Sequence, residues 1–171
     1  MNKKVLMVIA KTDFRDEEYV EPRKIFEQAN FEVEVASTQR GACLGKMGME
    51  TYADHDLDQV DPAAFDAIVF VGGGGAQQFF DDQAALELAR NAARAGRLIA
   101  AICIAPVILA NAGLLRGRQA TVTESEARLI EEKGAKYIED MPVVKDGHII
   151  TASGPAASIR FGEVVRDELL K

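Results

Sequence analysis

Residues 97–115 read RLIAAICIAPVILANAGLL, an almost wholly apolar run broken by one sulfur, Cys103. The run divides into a strand, RLIAAIC, and a helix, APVILANAGLL, with the cysteine at the junction. Ala101 and Ala105 stand two places before and after it. That is the spacing of a nucleophile elbow, where a sharp strand-to-helix turn brings the flanking side chains together and only small ones fit. Alanine is less permissive than glycine, and a free cysteine among aliphatic residues is also an ordinary core residue, so the spacing alone leaves both readings open. Pro106 favours the elbow, because proline is tolerated in the first helical turn. The sulfur then sits at the positive end of the helix, which is expected to favour thiolate over thiol.

Outward from this stretch, strand and helix patterns alternate. KKVLMVIA and DAIVFV are continuous apolar runs that suit strands buried on both faces, and FEVEVAS alternates apolar and acidic residues as a half-buried strand does. DEEYVEPRKIFEQAN has helical spacing of Tyr19, Ile25, Phe26 and Ala29, with Pro22 expected to break or kink it. DQAALELARNAARAG is a helix with Gly96 as its stop, and QATVT a short strand. ESEARLIEEKG and GPAASIRFGEVVRDELLK complete the helices, and VVKDGHIITA is a hairpin turning at Asp146-Gly147. The glycine-punctuated GACLGKMGMETYADHDLDQVDP is a hairpin or an irregular β excursion. The order predicts an α/β fold: a mostly parallel central sheet with helices on both faces, one domain over residues 1–171. In such sheets ligands bind beyond the carboxyl ends of the strands. The first strand exits toward Glu18, DAIVFV into Gly72–Gly75, and RLIAAIC into Cys103. Bare backbone at Gly72–Gly75 suits either a flexible turn or close approach to a substrate with N–H groups aimed at it. The run lacks the ending of a P-loop and the spacing of a dinucleotide fingerprint.

Composition narrows the partners. A net charge of −7 disfavours nucleic acid and anionic membrane surfaces. No apolar run is long enough for a bilayer and MNKKVLMVIA is too short a signal, so a cytoplasmic protein acting on a small molecule is expected. With two cysteines, Cys43 and Cys103, at no zinc spacing, neither a structural disulfide nor a metal site is expected, and Cys43 reads as structural or incidental.

These residues carry a resemblance. AAICIAP, DAIVFVGG, FRDEEY, GKMGMETYADHDLDQVDPAAFDA and VKDGHIITASGPAASIRFGEVVRDEL, in this order across essentially the whole chain, resemble the ThiJ/PfpI superfamily, a class I glutamine amidotransferase-like group. The resemblance implies a flavodoxin-like three-layer sandwich, a reactive thiol on Cys103, an acidic partner on Glu18, and oxyanion donors on the backbone of Gly73 and Ile104; on its residues alone Glu18 reads as a solvated helix acid, with Asp16 and Glu17 as adjacent alternatives. It also implies a homodimer or larger homo-oligomer, and no cofactor is expected. Peptidase members have histidine directly after the cysteine, where this chain has Ile104, and a thiol without imidazole lacks that general base. His55 and His148 look peripheral, and Glu124 stands where several deglycase-type members place a histidine. Isonitrile hydratases carry a hydroxyl residue beside the cysteine, which Ile104 again is not. What the resemblance leaves is glyoxalase- or deglycase-like action on dicarbonyls, with Tyr19 and Ile104 lining the pocket. The alternative is an oxidant-sensing Cys103 steadied by Glu18.

Overall fold

The computed structural model describes residues 2–171. Its first half contains β1 (Lys4–Val8), β2 (Thr12–Phe14), α1 (Asp16–Gln28), β3 (Glu32–Ser37), β4 (Gly41–Gly45), β5 (Glu50–Ala53), β6 (His55–Asp56) and β7 (Ala67–Phe70). The second half adds α2 (Gln83–Arg94), β8 (Leu98–Ile102), α3 (Pro106–Asn111), β9 (Gln119–Ala120) and α4 (Ala127–Glu132). It closes with β10 (Lys136–Tyr137), β11 (Val143–Asp146), β12 (Ile149–Ala152) and α5 (Ser158–Leu169).

Seven strands form the central sheet in the order β11-β12-β8-β7-β1-β3-β6, parallel throughout except for the antiparallel β11–β12 hairpin. This is the flavodoxin-like arrangement. The apolar runs occupy its centre: every residue of β7 and β8 is buried, as are Val5 to Val8 of β1. From β1 the chain crosses through α1 to β3 on one side, whereas from β7 it crosses through α2 to β8 on the other. Right-handed crossovers in opposite directions place α1 and α2 on opposite faces. α5 packs against α1, and α3 beside α2, which gives three layers. The reversal falls between β1 and β7, where an open α/β sheet leaves a crevice at its carboxyl edge.

Two expectations need correction, and a third narrows to one of its alternatives. Pro22 neither breaks α1 nor ends it: the helix runs from Asp16 to Gln28 with Pro22 buried inside. Proline forfeits only its own N–H bond to the Glu18 carbonyl, and packing of α1 on α5 outweighs that loss. The contact is close, since a Cβ on Gly162 of α5 would stand 2.9 Å from Pro22 Cα. QATVT forms a strand only at Gln119–Ala120, paired with β10 outside the main sheet, because β12 already occupies the flank of β8. The glycine-punctuated excursion is a hairpin, β4 against β5, and β2, which the periodicity does not reveal, runs parallel to β4. α2 does stop at Gly96, whose φ of 70° and N–H to Ala93 O (3.0 Å) close the helix. Among the described residues no helix is long and apolar enough to cross a membrane.

Candidate active site

β8, β7 and β1 are neighbours in the sheet, and their registers align Val8 with Phe70 and Phe70 with Ala101. Their exits therefore open at one level. Cys103 leaves β8, Gly72 and Gly73 leave β7, and the chain leaving β1 passes through β2 to bring Arg15 and Glu18 over the same edge. A Cβ on Gly72 would stand 2.5 Å from Glu18 Oε1 and 2.7 Å from Cys103 Cβ, which puts all three residues in contact.

Cys103 adopts φ of 66°, a left-handed conformation uncommon for a residue with a side chain and typically costing about 1–3 kcal/mol. Two hydrogen bonds hold it: its N–H donates to Ala152 O (2.9 Å) at the end of β12, and its carbonyl accepts from Thr123 N (2.8 Å). The turn lifts the sulfur out of the strand while Ala101 and Ala105 stay fully buried. The thiol is half-buried, so it is neither sealed in the core nor free in solvent.

Glu18 is 0% exposed, and neither carboxyl oxygen has a hydrogen-bond partner among the described residues. Burial pushes its pKa from 4.5 up to about 7, while the Cys103 thiol, the Arg15 guanidinium and the Gly72 N–H pull the other way. The Cys103 thiol is also pushed up, first by burial and then by the Glu18 charge, with Thr123 and the Gly73 N–H opposing. This corrects the expectation of a sulfur held as thiolate by the helix start. α3 is a short helix of six residues, and desolvation beside a carboxyl outweighs it. Thiol and carboxyl form an interacting pair, in which charge on the carboxyl disfavours charge on the sulfur.

The four glycines form a packed bend rather than a flexible turn. Gly73 has φ of 99°, and a Cβ there would lie 2.4 Å from Arg15 N. The N–H groups of Gly72, Gly73 and Ile104 donate to no backbone carbonyl among the described residues; those of Gly72 and Gly73 bear on Glu18 and Cys103.

Tyr19 does not join this group. Consecutive helical residues diverge by about 100°, so the neighbour of an inward-facing Glu18 points elsewhere. Its ring packs edge-on against Phe14 (5.5 Å), and its hydroxyl bonds Thr51 Oγ1 (2.8 Å) and Arg23. There it lines a separate hollow of about 320 Å³ with Arg23 and Met49. Ile104, 8% exposed, follows the cysteine as a nearly closed apolar neighbour. The histidines lie apart: His55 bonds Glu34 at the sheet edge, and His148 sits in the β11–β12 turn. Cys43 is buried in β4 with its thiol donating to Gly41 O (3.6 Å).

Sequence reasoning missed two members. Thr123, not Glu124, stands beside the cysteine, with Oγ1 3.6 Å from Cys103 Sγ. Arg15 donates its backbone N–H to Gly72 O (3.0 Å) and binds Glu17 through Nε (3.0 Å) and Nη2 (2.9 Å), and it is the cation bearing on both Glu18 and Cys103.

Comparison with known proteins agrees with this fold. The chain is 41% identical over 163 residues to the Methanocaldococcus jannaschii protein MJ0967, covering 94% of this chain and 80% of that one. It is 34% identical over 153 residues to Deglycase PH1704 of Pyrococcus horikoshii, covering 90% and 91%. The crystal structure of a ThiJ/PfpI domain protein from Brachyspira murdochii superposes with a TM-score of 0.96 at 35% identity, covering 99% of this chain and 98% of that chain. With residues 3–168 matching the family as a whole, the chain belongs to the DJ-1/PfpI family.

Proposed function

We propose that the chain is a cysteine-dependent enzyme acting on small reactive dicarbonyls or their adducts, with Cys103 as nucleophile and Glu18 as proton carrier. The observation that carries this reading is the fully buried Glu18 carboxyl, both oxygens unpartnered, against the half-buried Cys103 at the glycine bend. A carboxyl held near pH 7 gives and takes protons at neutral pH. The name of the Pyrococcus horikoshii relative supports the same class of chemistry.

The steps balance without an external oxidant. The Glu18 carboxylate takes the thiol proton as sulfur attacks the aldehyde carbon, and then returns it to the aldehyde oxygen, giving a hemithioacetal. The carboxylate next removes the proton on that carbon, the electron pair moves toward the adjacent carbonyl, Glu18 delivers that proton to the second carbon, and the hemithioacetal hydroxyl proton passes to the oxygen on the second carbon. The product is a hydroxy thioester, oxidised at one carbon and reduced at its neighbour. Water cleaves the thioester, releasing a hydroxy acid and the thiol. The N–H groups of Gly73 and Ile104 are the donors for oxygens that gain charge. No imidazole takes part, which sets this route apart from Cys-His proteolysis.

The test is lactate formation from methylglyoxal. Turnover that disappears in Cys103→Ala supports the reading. Absence of turnover in the wild-type protein, with clean oxygen additions to Cys103 under peroxide, overturns it in favour of an oxidant-sensing thiol.

A further inference from the structure

Thr123 has one hydroxyl proton and two groups that compete for it. Oγ1 donates to Ser153 O at 2.9 Å and lies 3.6 Å from Cys103 Sγ. With the proton committed to Ser153, the oxygen presents only lone pairs to the sulfur, so in this arrangement it can only accept from the neutral thiol, whose one proton also faces Glu18. Once sulfur ionises, lone pair would face negative charge. The repulsion is relieved by rotation about the Cβ–Oγ1 bond, which swings the proton from Ser153 O to the sulfur.

The heavy atoms need not move for this. The Thr123 N–H bond to Cys103 O (2.8 Å) pins the threonine to the nucleophile's own peptide. The Ser153 carbonyl, released by the rotation, belongs to a half-buried residue that water can reach. Glu18 reaches the sulfur from the α1 side, whereas Thr123 follows β9 and bonds the chain beyond β12. The two act on the sulfur from separate elements.

We propose that Thr123 is a positioning residue whose hydroxyl reverses its hydrogen bond, accepting from the Cys103 thiol and donating to the thiolate, so that it eases ionisation at the moment of attack. The inference rests on the proposed function only in taking Cys103 as the reacting sulfur. The proton leaving sulfur goes to the Glu18 carboxylate, the threonine keeps its own proton, and no other bond forms or breaks.

The experiment reads the ionisation itself: the pH dependence of Cys103 alkylation by iodoacetamide, followed on the Cys103 peptide by mass spectrometry. Thr123→Val, which keeps the branched shape without the hydroxyl, is expected to raise the half-point by about one unit, or about tenfold less thiolate at a fixed pH. Thr123→Ser, which restores the hydroxyl, stays at the wild-type half-point. Thr123→Ala is measured alongside to remove any clash from the added methyl. An unmoved or lowered half-point in whichever of Val and Ala keeps the native unfolding transition overturns the proposal, as does a serine variant that behaves like valine. Failure of methylglyoxal turnover leaves this result standing, and turnover with unmoved half-points refutes the threonine alone.

Discussion

Replacing Glu18 by glutamine should make the protein more stable at alkaline pH while removing the proposed dicarbonyl turnover. The carboxyl is fully buried, and its pKa lies at about 7 against 4.5 in the ordinary state. Below about pH 4.5 both folded and unfolded chains hold the proton, so burial costs nothing through ionisation. Between 4.5 and about 7 the unfolded chain ionises and the folded one does not, so stability falls as pH rises. Above about 7 the full difference applies, about 3 kcal/mol at roughly 1.36 kcal/mol per unit. Glutamine has nearly the same shape and carries no charge at any pH. Its amide adds an offset that pH does not change, so the informative quantity is the gap between variant and wild type at about pH 8 minus the gap at about pH 4. That difference should favour the variant by about 3 kcal/mol, read from urea unfolding, or as a melting point higher by about 6–12 °C in a chain of this size. Equal gaps at the two pH values would refute the reasoning.

Other residues test the surroundings. Gly72→Ala drives a methyl to 2.5 Å from Glu18 Oε1 and 2.7 Å from Ile102 O, so it should cost about 1–3 kcal/mol in urea unfolding and suppress dicarbonyl turnover. Gly162→Ala places a methyl 2.9 Å from Pro22 Cα and Ile25 Cδ1; it should destabilise by a similar amount, about 1–3 kcal/mol, through the packing of α5 on α1. Asp82→Ala removes the carboxylate that caps α2 by accepting from Ala85 N at 3.0 Å, and should cost about 1 kcal/mol of stability with turnover unchanged.

The sheet was legible because its central strands are buried on both faces and so read as unbroken apolar runs, as in DAIVFV and LIAAI. Helix starts and stops were legible where a residue acts locally, as Gly96 does. Pro22 misled because the cost of a missing N–H is visible in sequence, whereas the Gly162 groove that offsets it is a long-range contact. β2 was hidden, and the length of β9 overread, for the same reason: a two- or three-residue strand is defined by its partner and carries no period of its own. At the site, the local backbone pattern marked Cys103 and the glycines as candidates but left the core and flexible-turn readings open. Glu18 could not be told from Asp16 or Glu17 without the resemblance, since only the rotation of α1 decides which acid faces inward. Tyr19 was misplaced by the same ignorance of helix phase. Thr123 and Arg15 meet Cys103 and Gly72 through contacts spanning 20 and 57 residues, which no local pattern encodes.

The central claim is that the Cys103 thiol and the Glu18 carboxyl ionise as one pair. The most direct measurement is the ultraviolet titration of the Cys103 thiolate in the wild-type protein and in Glu18→Gln, each with Cys43→Ser so that a single thiol reports. The account predicts a wild-type half-point above the ordinary 9.0 and a clearly lower one in the glutamine variant, where burial persists but the neighbouring charge is gone. Identical half-points in the two proteins would contradict it.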